Sequence, residues 1–377
     1  MAKEILKLIA AETAGESYRA HKMELDIETD TASRIDNPET RFENPRYGET
    51  KKFNGYILLK NFLQNNSQVL TYFLDDSRHV YKIDEIAYRH GTRKMVYPVI
   101  AGQVAVGCCR RQNKKLHAEN FFGENILTLP NIANANGSRG FLPALIQKIN
   151  ALSKIEISKI LEYSTSQNIE QSFENRAIVE IQNYMYQAEQ NMVAALVAKS
   201  KLNQKNFLVK DGSLEYRIPK DIPKNSRRFL TFKNNFNYVI GLSKKFNPAL
   251  FTTNNRANPG FIAELPLYSR TPVICANFYN DIKIAIWYLR LRDRKFTDSP
   301  FDGVLKVEKM LVAQDEISSG VIDSEFVNFL SAQIINERNP VCYGADNRWA
   351  NHIYPIFLTE TFIKSKCIAA ETFLNLF

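Results

Sequence analysis

The sequence predicts a mixed α/β protein, and three observations carry that reading. Consecutive β-forming runs lie between Val69 and Val106, helical periodicity dominates residues 141–199, and short apolar strands then alternate with helical stretches. The 377 residues, 45% hydrophobic and 24% charged, suffice for a large core without metal or disulfide staples. Disordered, collagen-like and disulfide-scaffold classes are excluded.

The elements follow in order. Residues 1–64 read as a polar N-terminal arm, with an alternating stretch at Met23–Glu28 suited to an edge strand and turns at Asn37-Pro38 and Asn44-Pro45. Residues 65–377 read as one domain. Val69–Leu74 is a strand expected to end at Asp75-Asp76-Ser77, Val80–Ile83 its hairpin partner, and Tyr97–Val106 a third strand. Helices are expected over Phe141–Leu152 and Asn175–Ala198, the second with an apolar stripe at Ile178, Ile181, Met185, Ala188, Met192 and Leu196. Phe207–Asp211 is a short strand. Further strands are expected at Tyr238–Leu242, Pro272–Cys275 and Ile284–Leu289, and helices at Ser324–Ile335 and Pro355–Leu374.

Lys plus Arg exceed Asp plus Glu by 49 − 40 = 9, and the excess is local. Between Lys201 and Lys245 stand eleven basic and three acidic side chains, whereas residues 1–50 hold seven basic and eleven acidic ones. Such concentration suits a surface that tracks phosphates, with Arg217, Lys220, Lys224, Arg227, Arg228, Lys244 and Lys245 as its expected contacts. Phe229, Phe232 and Phe236 interleave with them, where they either stack on bases or pack a local core. Arg290, Arg292, Arg294 and Lys295 alternate like one basic strand face.

The N-terminus lacks the basic and apolar tract of a signal peptide, and the Tyr97–Cys109 stretch is too short to span a bilayer. Five cysteines without a CxxC pair read as reduced thiols, so a cytoplasmic protein without membrane contact is expected. No GxxxxGK[ST], HExxH or GxSxG motif occurs.

Two carboxylate turns share one design. Leu74 leads into Asp75-Asp76-Ser77, and Val209-Lys210 leads into Asp211-Gly212-Ser213. A strand-end Asp is held by the sheet while its oxygens face a cleft, as hard divalent cations require; ordinary turn chemistry is the alternative. Ile181, Met185, Glu189, Met192 and Leu196 step by four, four, three and four, so Glu189 lies on the apolar stripe, where a lone carboxylate is costly unless paired. A helix from Glu189 to about Lys199 and the returning strand to Asp211 cover similar lengths, roughly 15 Å each, which lets both carboxylates reach one end of the layer. His352, between Trp349 and Tyr354, either positions a water or a phosphate or makes a structural hydrogen bond.

Together, strand–Asp–x–Ser, a helix with an inward glutamate, Leu208–Leu214, Val239–Lys244 closing on Gly-x-x-Lys, and Tyr354-Pro355 resemble the NurA nuclease family. The resemblance implies an RNase H-like mixed sheet with flanking helices and insertions. It further implies a DNA nuclease using manganese or magnesium, dimeric, and working with a HerA-like hexameric ATPase in DNA-end processing or phage defence. Under it, Asp75, Glu189 and Asp211 are the expected metal ligands. The chain departs from the family at Asp76, where a glycine is usual, and at the C-terminal histidine, near whose place Glu360 stands. These departures leave open a catalytically inactive RNase H-like subunit for nucleic-acid binding or assembly.

Overall fold

The computed structural model describes residues 2–25, 42–64, 67–166, 171–216, 223, 226–253, 256–278, 282–340 and 347–377. Five strands form its central layer, numbered here in chain order: β1 (Leu70–His90), β2 (Arg93–Gln112), β3 (Lys115–Pro130), β4 (Phe207–Asp211) and β5 (Val239–Ser243). β1 to β3 make an antiparallel meander; β4 runs parallel to β1, and β5 parallel to β4. The resulting order, β3-β2-β1-β4-β5, is the RNase H-like arrangement expected. A parallel step needs a crossover, and the segment between β3 and β4 supplies it with the long helix Phe173–Ala198. Ser172 caps that helix by accepting a hydrogen bond from the Asn175 amide.

The sheet extends past both sides of this layer. Val304–Met310 pairs antiparallel with β5, followed outward by Ile282–Arg290, Ile274–Phe278 and Phe42–Tyr47. Lys159–Tyr163 lies parallel beside β3.

Side chains alternate across a strand, so each strand feeds two cores. Tyr72, Leu74 and Leu208 pack against Ile181, Met185, Ala188 and Met192 of the long helix. Phe73, Val209, Ile240 and Leu242 pack on the other face, with Val327, Leu330 and Ile334 of the helix Ser324–Asn336 and with Ile356. The helix Tyr354–Lys364 lies on this second face. Its close approach requires Gly107 of β2, because a Cβ there would sit 2.5 Å from Ile363 Cγ1.

Four expectations are corrected. β1 does not end at Asp75: it runs 21 residues through the polar tract, with Asp75, Asp76 and Ser77 opposite Gly107, Val106 and Ala105 of β2. The ladder continues because Asp75 and Asp76 each find polar neighbours on their own face, Asp211 and Lys244 for the first and Glu189 and Lys210 for the second. The expected arm is built into the domain: Ile5, Leu6 and Ile9 of the helix Ala2–Glu12 are buried with Tyr81, Ile83 and Val99. Met23–Glu24 does pair with Lys82 and Tyr81 of β1, while residues 26–41 lie outside the described residues. The expected C-terminal helix is two helices, Tyr354–Lys364 and Ala370–Leu374. Arg290 is buried and donates to the Ala263 and Pro300 carbonyls, so it belongs to the frame and not to a basic face.

Candidate active site

The site forms where β1 and β4 run side by side. Leu74 stands opposite Lys210, which brings the next residues, Asp75 and Asp211, together on the face of Phe73 and Val209. Asp75 is held in mid-strand and is 5% exposed. Its Oδ1 accepts a hydrogen bond from the Asp76 amide at 2.9 Å, while its buried Oδ2 has no hydrogen-bond partner among the described residues. Asp211 ends β4, just before Gly212, whose φ of +85° turns the chain sharply.

Lys244, directly after β5, closes the cluster. Its Nζ lies 2.7 Å from Asp211 Oδ2 and 2.7 Å from His352 Nε2. Asn351 Nδ2 donates to the Lys244 carbonyl at 2.9 Å, tying this lysine to the segment that carries His352. Glu360, on the Tyr354–Lys364 helix, reaches within 3.8 Å of His352 Nε2 and pairs with Lys364 at 2.6 Å. Three carboxylates, one imidazole and one ammonium therefore converge on one face.

Their electrostatics are unequal. Burial, reinforced by the neighbouring Asp211 charge, pushes the Asp75 carboxyl well above the usual carboxylate range, against the pull of Lys244. Burial would raise Asp211 too, but the Lys244 ammonium outweighs it and holds Asp211 below its ordinary value. Lys244 is itself raised: burial disfavours its charge, and Asp211 and Asp75 more than restore it.

Glu189 points inward as expected, but it does not join Asp75 and Asp211. It lies on the opposite face of the sheet, fully buried, paired with Lys210 at 3.2 Å. Asp76, Tyr186 and Tyr216 stand beside it. The cause is strand alternation: Asp75 and Asp76, and likewise Lys210 and Asp211, face opposite ways. The chain thus builds two buried carboxylate–lysine clusters back to back.

Of the other expected residues, Arg227 and Arg228 are exposed at the start of the helix Arg227–Asn235, and Lys245 is exposed beside the site. Lys244 is a member of the site itself. Arg217, Lys220 and Lys224 lie outside the described residues. Phe229 and Phe236 are buried, and Phe232 and Tyr216 pack on Phe236 at 5.0 and 5.2 Å, so these rings form a local core and not a stacking platform. Cys108, Cys109, Cys275 and Cys367 are free thiols.

The donor types suit a hard divalent cation, and the partnerless Asp75 Oδ2 is the kind of atom such an ion satisfies. Among the described residues, no three His, Cys, Asp or Glu side chains are gathered tightly enough to hold a metal ion. Lys244 supplies the local positive charge instead. Among the described residues, no helix is long and apolar enough to cross a membrane.

No family model and no curated protein matches the chain. Among solved structures, the chain is similar to the NurA nuclease from Sulfolobus solfataricus, superposing with a TM-score of 0.42 at 9% identity over 90% of this chain and 89% of that one.

Proposed function

We propose that the chain is a divalent-metal-dependent DNA nuclease centred on Asp75 and Asp211, with Glu360 and His352 beside them. The observation that carries this reading is the placement of two Asp side chains side by side on adjacent parallel strands, Asp75 buried and Asp211 partly buried, with one Asp75 oxygen lacking a hydrogen-bond partner among the described residues. Asp75 and Asp211 would supply the carboxylates for manganese or magnesium, which would contribute an activated water and stabilise the leaving oxygen of a phosphodiester. Lys244 holds the Asp211 carboxyl below its ordinary value, which favours the anionic form a cation needs. The Lys244 ammonium, whose N–H groups also reach the His352 Nε2 acceptor, presents a positive donor suited to orienting a phosphate. Exposed Lys245, Arg227 and Arg228 bind the backbone, along with Arg217, Lys220 and Lys224. The resemblance noted in the sequence supports a cytoplasmic homodimer acting with a HerA-like hexameric ATPase in DNA-end processing or phage defence.

The test is Asp211→Ala. Manganese-dependent cleavage disappears while DNA binding persists; unchanged cleavage overturns the proposal.

A second reading has one observation in its favour. Lys244 already neutralises Asp211, as an RNase H-like subunit without chemistry would require. That reading expects no metal-stimulated cleavage on any DNA, alone or with an ATPase partner.

A further inference from the structure

The buried cluster on the far face of the sheet has no part in the chemistry proposed above, yet it touches the same turn. Lys210 Nζ is almost fully enclosed, 3.2 Å from Glu189 Oε1. It donates to the Asp211 carbonyl at 2.9 Å and to the Ser213 carbonyl at 3.3 Å. These are the two carbonyls that flank Gly212, the residue with the left-handed φ. From the side, Glu308 Oε2 accepts from Leu214 N at 2.7 Å and from Ser213 Oγ at 2.8 Å, and Gly212 N donates to the Leu242 carbonyl at 2.7 Å. The turn that presents the Asp211 carboxylate is therefore fixed by groups lying on the face opposite that carboxylate.

We infer that Glu189 and Lys210 are positioning residues: Glu189 holds the Lys210 ammonium against the Asp211–Ser213 turn, and the turn aims Asp211 through the sheet. The inference rests on the nuclease reading for its functional consequence, though not for its structural one. Glu189 has no place among the groups that would touch metal, since its neighbours are Lys210, Asp76, Tyr186 and Tyr216. A carboxylate in direct contact with a metal does not tolerate an amide in its place. One that only holds an ammonium does: a glutamine accepts from Lys210 through its oxygen and donates to Asp76 through its nitrogen.

The test compares Glu189→Gln, Lys210→Met and Asp211→Asn by amide hydrogen exchange at Gly212 and Leu214, by manganese titration and by DNA cleavage. Glu189→Gln should retain the amide protection and stay within about threefold of wild type in manganese affinity and cleavage. Lys210→Met should speed exchange at both amides at least about tenfold and weaken manganese binding roughly 10- to 100-fold, the usual consequence of losing a group that orients a ligand. If Lys210→Met does not fold, the double variant Lys210→Met/Glu189→Gln, with no unpaired Glu189 charge, carries the same expectation. Glu189→Gln losing cleavage as completely as Asp211→Asn, with its amides still protected, overturns the inference. So does unchanged exchange after removal of Lys210. Wild type that binds no manganese removes the nuclease reading alone, because the exchange measurement still decides whether Lys210 fixes the turn.

Discussion

Lys210 and Asp211 are consecutive in β4 yet serve opposite sides of the sheet. The Lys210 Nζ lies 3.2 Å from Glu189 on one face, and Asp211 Oδ2 lies 2.7 Å from Lys244 on the other. Asp75 and Asp76 repeat the pattern in β1, so two short polar tracts on neighbouring strands produce two separate charged clusters. The Asp75 oxygen without a hydrogen-bond partner among the described residues lies on the face of Lys244, Glu360 and His352; the two Glu189 oxygens also lack such a partner but are enclosed with Lys210 on the other face.

Asp75 holds its position at a cost to the fold. Its carboxyl is raised in the folded chain, so the stability it contributes is present below the ordinary carboxylate value of 3.8 and is lost as pH rises through the folded value. Asp75→Asn, which cannot ionise, should therefore stabilise the metal-free protein by about 1–2 kcal/mol at pH 8. The gain should vanish near pH 3. Thermal melting across that range checks this, and a gap that does not change with pH contradicts it.

Lys244 is the counter-charge of the site. Lys244→Met leaves the Asp211 anion without its ammonium, and losing one partner of this partly buried pair should cost about 1–3 kcal/mol, less than a fully buried pair would. Urea denaturation at pH 7 should show that loss. The loss should shrink at a pH low enough to protonate Asp211, whose folded value lies below its ordinary one.

Gly107 sets how closely the Tyr354–Lys364 helix meets β1 and β2. Gly107→Val places atoms against Ile363, an overpacking worth about 1–3 kcal/mol of stability. Because Glu360 rides on that helix, cleavage should fall as well. Full activity in a folded Gly107→Val protein would show that the Glu360 position does not matter.

Arg227 and Arg228 are exposed, so Arg227→Glu and Arg228→Glu should leave the melting temperature unchanged. If each contacts one phosphate, each change lowers the slope of log affinity against log salt by about 0.7–0.9. Fluorescence anisotropy over a salt series reads this directly, and an unaltered slope removes these arginines from the DNA path.

Much of the fold was legible in the residues. The strand Phe207–Asp211, the helix Phe141–Leu152 and the long helix fall where β-forming runs and helical stripes placed them. The length of β1 was not legible, because Asp75-Asp76-Ser77 breaks the apolar run; only the partners on each face explain why the strand continues. Val304–Met310 is not legible for a similar reason: Lys306, Glu308 and Lys309 look like a solvated stretch, yet all three are buried and paired with acidic or basic neighbours. Within the site, the stripe on the long helix announced that Glu189 turns inward. Which face of the sheet it meets depends on how the helix crosses between β3 and β4, and spacing along the chain carries no information on that. Lys244 stood among the basic residues as a phosphate contact; its proximity to Asp211 arises from the parallel pairing of β4 and β5, a contact between distant parts of the sequence.

The central claim is that Asp75 and Asp211 together form a divalent-metal site. Calorimetric titration of manganese into the wild-type chain and into Asp75→Asn, Asp211→Asn and Glu189→Gln tests it most directly. The account predicts binding by the wild type, its loss in both aspartate variants, and its retention in Glu189→Gln. Binding that survives in both Asp75→Asn and Asp211→Asn, or a wild-type chain that takes up no manganese, would contradict it.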